Sequence, residues 1–157
     1  MSESCKYHLS RRILWVEDDY YHLKGLVKPL EKMGFTVVPA RSVVEARTLL
    51  KEWKKYCLVL LDLIIPYSEM PVPGAAEGTG EIRDLTSNGM ALFEYMKDEL
   101  GIDIPIVILS VVQKNEDADI DMLEAKGAVR PFVKRGVLPE ELKNVVIRAL
   151  EQANKNN

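Results

Sequence analysis

The stretch Val59-Leu60-Leu61-Asp62-Leu63-Ile64-Ile65-Pro66 decides the fold. An apolar run of strand length ends at one carboxylate, and a proline follows four positions later. A continuous apolar run, with no polar alternation, suits a strand buried on both faces, as in a parallel sheet covered by helices. In such sheets ligands sit outside the carboxyl ends of the strands, which is where Asp62 falls. By itself Asp62 also reads as an ordinary solvated residue at a strand terminus, so the remaining strands must decide.

Upstream, Arg12-Ile13-Leu14-Trp15-Val16 reads as a first strand, running into Glu17-Asp18-Asp19. A helix over residues 20–33 follows, because Leu23, Leu26, Val27 and Leu30 recur at i, i+3, i+4 and i+7. Pro29 inside it removes the hydrogen bond to the Gly25 carbonyl and predicts a kink, and Gly34 supplies the stop. Residues 35–38 read as a short second strand. Ser42 and Glu45 then form a capping box for a helix that presents Val43, Ala46, Leu50 and Trp53. Residues 57–61 make the third strand.

Downstream, a third helix is expected to begin at Asn88-Gly89 and to turn Leu92, Phe93 and Met96 inward. Residues 104–110 form the fourth strand, with Pro105 at its start, where a missing N–H is tolerated. A fourth helix over residues 115–126 is acidic, with Glu116, Asp117, Asp119, Asp121 and Glu124. Residues 129–133 form a fifth strand containing Pro131, and a fifth helix opens at Pro139 with Leu142, Val145, Val146 and Ala149 on its buried face. Five strands alternating with five helices predict an α/β fold, a doubly wound parallel sheet with right-handed crossovers. One domain spans residues 1–157, with a core over 12–153. The Pro- and Gly-rich residues 67–87 exceed the usual connection of about 2–6 residues and read as an insertion in the loop after the third strand.

The 157 residues, 47% hydrophobic and 29% charged, suit one globular domain. A net charge of −3 gives no general attraction to nucleic acid or an anionic membrane. No apolar run is long enough to span a bilayer. Met1-Ser2-Glu3-Ser4-Cys5-Lys6 lacks the charged-then-apolar order of a signal peptide. Cys5 and Cys57 are the only cysteines, with Cys57 expected as a buried small hydrophobe at the head of the third strand. These features predict a cytoplasmic protein with neither a disulfide framework nor a zinc site.

The strand ends carry the chemistry. Glu17 and Asp18 follow the first strand, Asp62 the third, Ser110 ends the fourth and Lys134 follows the fifth. In a doubly wound sheet these ends converge on one crevice. Three carboxylates placed together repel one another unless a cation joins them, and Mg2+ prefers oxygen ligands of this kind. Magnesium and the Lys134 ammonium together would neutralise a phosphoryl group arriving at Asp62, which as a carboxylate can act as nucleophile and form an aspartyl phosphate.

This set of residues closely resembles the receiver domain of two-component response regulators, over about residues 12–153. The resemblance implies a flavodoxin-like sheet of order 2-1-3-4-5. It implies Asp62 as phosphoacceptor, Ser110 and Lys134 as partners of the phosphoryl group, and Glu17, Asp18, Asp62 and the backbone carbonyl of Ile64 as Mg2+ ligands. A histidine kinase or phosphotransfer protein would be the donor. With no output domain expected on the chain, the signal would leave by contact with another protein, through the face of helix 4, strand 5 and helix 5. Ile64 and Val112 would flank the approach of a hydrolytic water, and both are apolar, which predicts slow loss of the phosphoryl group. Two positions depart from the family: Arg135 stands where a proline usually follows the lysine, and Pro131 where the switch aromatic usually stands, with Phe132 one place later.

Two rival classes remain. A pseudo-receiver, a binding module that works without phosphorylation, is compatible with Pro131 and Arg135. A phosphohydrolase acting on small substrates is disfavoured, because position 64 is Ile rather than a second Asp and no Gly-rich phosphate loop is present.

Overall fold

The computed structural model describes residues 10–68, 82–110, 117–133 and 136–156. Its strands are β1 (Arg12–Val16), β2 (Thr36–Ala40), β3 (Leu58–Leu61), β4 (Ile106–Ser110) and β5 (Val129–Val133). They form one five-stranded sheet in the order β2-β1-β3-β4-β5, and every pairing is parallel. This is the expected doubly wound arrangement. The registers pair Val16 with both Ala40 and Leu61, and Leu61 with Ile108, so the carboxyl ends of the four strands lie side by side.

The central strands are buried on both sides because helices cover both. On one side Leu14, Val16, Val59, Leu61, Ile106 and Ile108 meet α2 (Val43–Leu50) through Val43, Ala46 and Leu50, and α3 (Ile82–Glu94) through Leu92 and Phe93. A π-helical turn, Tyr95–Glu99, prolongs α3 and adds Met96. Leu123 of α4 (Asp117–Ala125) joins the same layer. On the other side Ile13, Trp15, Leu58, Leu60, Val107 and Leu109 meet α5 (Pro139–Lys155) through Leu142, Val146 and Ala149, and α1 (residues 20–32) through Val27 and Leu30.

Helix α1 departs from expectation. A single kinked helix was predicted, but residues 20–32 form three pieces: an α turn Tyr20–Leu23, a 3-10 turn Lys24–Val27 and a second α turn Lys28–Lys32. Pro29 sits in the first turn of the last piece, where no helical N–H is required of it, so the chain restarts the helix instead of bending it. Gly34 ends the element at φ 96, a left-handed conformation that costs glycine nothing. β2 runs two residues further than expected and includes Pro39, which an edge strand tolerates. β3 and β4 start one and two residues later than expected, at Leu58 and Ile106. Cys57 precedes β3 and is half-buried rather than buried, and burial pushes its thiol up to about 11.

Helix α3 begins at Ile82, six residues before Asn88, so helix reaches into the stretch read as an insertion. Asn88-Gly89 resembles a start signal but lies inside the helix, for a reason that follows from the site. Among the described residues no helix is long and apolar enough to cross a membrane.

Candidate functional site

Backbone pairing sets the positions of the carboxylates. The amide of Asp62 donates to the Val16 carbonyl at 3.0 Å, and that of Glu17 to the Ala40 carbonyl at 2.8 Å. Each acidic residue is therefore locked one step beyond its strand. Glu17 and Asp62 are buried and Asp18 is exposed. One carboxylate oxygen from each of the three lies within 4.8 Å of the other two.

Burial makes this arrangement costly unless the charges are answered. Asp62 Oδ1 accepts the Ile64 amide at 3.0 Å and the Ser110 hydroxyl at 2.8 Å, two donors that orient its carboxylate. Glu17 Oε1 accepts the Asp19 amide at 3.1 Å. Two ionised carboxylates at 4.8 Å repel by roughly 3–4 kcal/mol at an effective dielectric constant of about 20. A hard divalent cation relieves that repulsion, and an all-oxygen donor set is what magnesium takes.

Most carbonyls of the loop after Asp62 are engaged by the neighbouring helices. The Leu63 carbonyl accepts the Gly89 amide at 3.2 Å and the Ile65 carbonyl accepts Asn88 Nδ2 at 3.0 Å. The Pro66 and Tyr67 carbonyls accept the Val43 and Val44 amides, both at 3.0 Å. Between these, the Ile64 carbonyl accepts no hydrogen bond among the described residues. The cluster is compatible with Mg2+: two buried carboxylates, Glu17 and Asp62, and an exposed one, Asp18.

The structure thus brings Glu17, Asp18, Asp62 and Ser110 to one place, with Ile64 beside Asp62. Lys134 lies outside the described residues, as do Arg135, Val111 and Val112; β5 ends at Val133, which pairs with Ser110. One neighbour was missed. Arg41 follows the end of β2, donates from Nε to the Asp18 carbonyl at 3.5 Å and stacks over Tyr21 at 5.1 Å from the ring centroid. Applying the strand-end rule to the second strand as well would have found it.

No family model matches the chain. A histidine protein kinase 1 of Candida albicans is 26% identical over 147 residues, covering 91% of this chain and 5% of that protein. The chain therefore spans about a twentieth of the length of this curated relative. Among solved structures, the response regulator receiver domain protein (CheY-like) of Methanospirillum hungatei superposes with a TM-score of 0.67 at 21% identity, covering 94% of this chain and 99% of that one. A response regulator receiver domain protein of Clostridium thermocellum gives 0.68 at 17%, covering 95% and 100%. The BeF3-activated N-terminal receiver domain of Klebsiella pneumoniae RstA gives 0.65 at 23%, covering 90% and 99%. The chain has the fold of response regulator receiver domains.

Proposed function

We propose that this chain is a phosphorylation-dependent signalling receiver whose acceptor is Asp62. The observation that carries the reading is the joining of three carboxylates, Glu17, Asp18 and Asp62, with the Ser110 hydroxyl on Asp62 at 2.8 Å, all at adjacent strand ends. A histidine kinase or phosphotransfer protein presents a phosphohistidine. An Asp62 carboxylate oxygen attacks phosphorus, the P–N bond breaks, and its electron pair returns to the imidazole nitrogen. Ser110 and the Ile64 amide hold the carboxylate in orientation before attack, and the Ser110 hydroxyl then turns to a phosphoryl oxygen. Glu17, Asp18, Asp62 and the Ile64 carbonyl would hold Mg2+, which when bound would offset the charge that gathers on the phosphoryl oxygens. Lys134 adds a second positive charge to the same oxygens. The signal leaves by protein contact in the cytoplasm, with the face of α4, β5 and α5 as the outlet.

The test is mass spectrometry of the intact protein after incubation with a histidine kinase, or with a small phosphodonor, in the presence and absence of magnesium. The wild type gains one phosphate in a magnesium-dependent manner and Asp62→Asn gains none. An undiminished increment in Asp62→Asn removes the acceptor assignment. A wild type that gains no phosphate from either source, yet folds, favours the pseudo-receiver instead.

A further inference from the structure

We infer that Asn88 and Gly89 are positioning residues for the acceptor loop, holding the carbonyls on either side of Ile64 so that the Ile64 carbonyl stands with the carboxylates. The inference rests on the receiver reading of Asp62 and concerns how that site is kept in register.

Both residues are poor choices for the interior of a helix. Glycine there costs about 0.5–1 kcal/mol relative to alanine, and asparagine competes with the backbone for hydrogen bonds. Gly89 does not adopt positive φ, so the left-handed freedom of glycine is not the reason for its presence. Proximity is. A Cβ built on Gly89 would lie 2.3 Å from the Leu63 Cα, 2.4 Å from its carbonyl oxygen and 2.6 Å from its carbonyl carbon. All three are backbone atoms of the residue next to Asp62, so no side chain can swing aside to make room.

The approach that glycine permits is then used for bonding. The Gly89 amide reaches the Leu63 carbonyl at 3.2 Å, and Asn88 Nδ2 reaches the Ile65 carbonyl at 3.0 Å. The same two residues therefore fix the chain immediately before and after Ile64. That residue's amide holds Asp62 Oδ1 at 3.0 Å. A displacement of Leu63 moves both the Ile64 carbonyl and the amide that orients the acceptor. Two local preferences of the helix are set aside at adjacent positions, and both serve the same loop.

The experiment compares magnesium affinity by titration calorimetry with thermal unfolding in metal-free buffer, for wild type, Gly89→Ala, Asn88→Ala and Leu142→Ala. Outer partners of metal ligands are typically worth about 10–100-fold in affinity, and Gly89→Ala is expected to lose an amount in that range. Asn88→Ala, which removes one bond without a clash, loses less in the same direction. Leu142→Ala empties a core position on the opposite side of the sheet; it lowers the unfolding temperature and, measured while folded, keeps wild-type affinity. Folded Gly89→Ala and Asn88→Ala that both bind magnesium like the wild type overturn the inference. Should Gly89→Ala fail to fold, Asn88→Ala decides alone by the same criterion. A wild type that binds no magnesium overturns the receiver reading and this inference together, whereas binding by the wild type with no change in the variants overturns this inference only.

Discussion

Helices α1 and α2 begin beside the same carboxylates and are held in opposite ways. α2 is held by its end. The Val43 and Val44 amides donate to the Pro66 and Tyr67 carbonyls, the Glu45 amide donates to Ser42 Oγ at 3.1 Å, and the Glu45 carboxylate reaches back to the Arg41 amide at 3.0 Å. α1 has no such start. Asp19 makes no side-chain cap, its carboxylate being paired with His22, and the helical geometry changes at Lys24 and again at Lys28. What α1 does have is Val27 and Leu30 fully buried against the sheet. A helix fixed by backbone bonds can register a loop, whereas one fixed by apolar contact need only cover a surface. The loop after Asp62 is tied to the first kind.

Removing burial from α1 should have the largest effect. Leu30→Ala is expected to cost about 2–5 kcal/mol in urea unfolding, the usual range for emptying a well-packed leucine site. A cost below about 1 kcal/mol would show that α1 is held by something other than its buried side chains. Cap removal from α2 comes next. Ser42→Ala should cost about 1 kcal/mol, within roughly 0.5–2. No measurable loss would mean that the Pro66 and Tyr67 ties alone secure the helix. The smallest change is a gain. Nothing lies within 4 Å of a Cβ on Gly25, in the 3-10 turn, so Gly25→Ala should stabilise by about 0.5–1 kcal/mol through the unfolded chain. Destabilisation would show that the break in α1 is required.

The sequence made the sheet legible because both of its faces are covered, and strands such as residues 58–61 then read as uninterrupted apolar runs. Glu17, Asp18, Asp62 and Ser110 were legible for a related reason, since a polar residue ending such a run can only stand at the carboxyl edge. The break in α1 was half legible: Pro29 marked the place but not the outcome, which depends on where the next turn restarts. The role of Asn88-Gly89 was misread. As a dipeptide it signals a boundary, and only the closeness of Leu63 reveals why a helix would place it inside. The carbonyl ties from Leu63 to Tyr67 carry no sequence mark, because every residue type offers the same oxygen.

The double anchoring of that loop bears on how the chain tolerates change. Tyr67 is fastened to α2 on one side of residues 68–81, and α3 returns to fasten Leu63 and Ile65 on the other. In mechanical terms the stretch from Leu63 to Tyr67 is a strut braced at both ends: a load applied to it is shared by two helices before it reaches the acceptor.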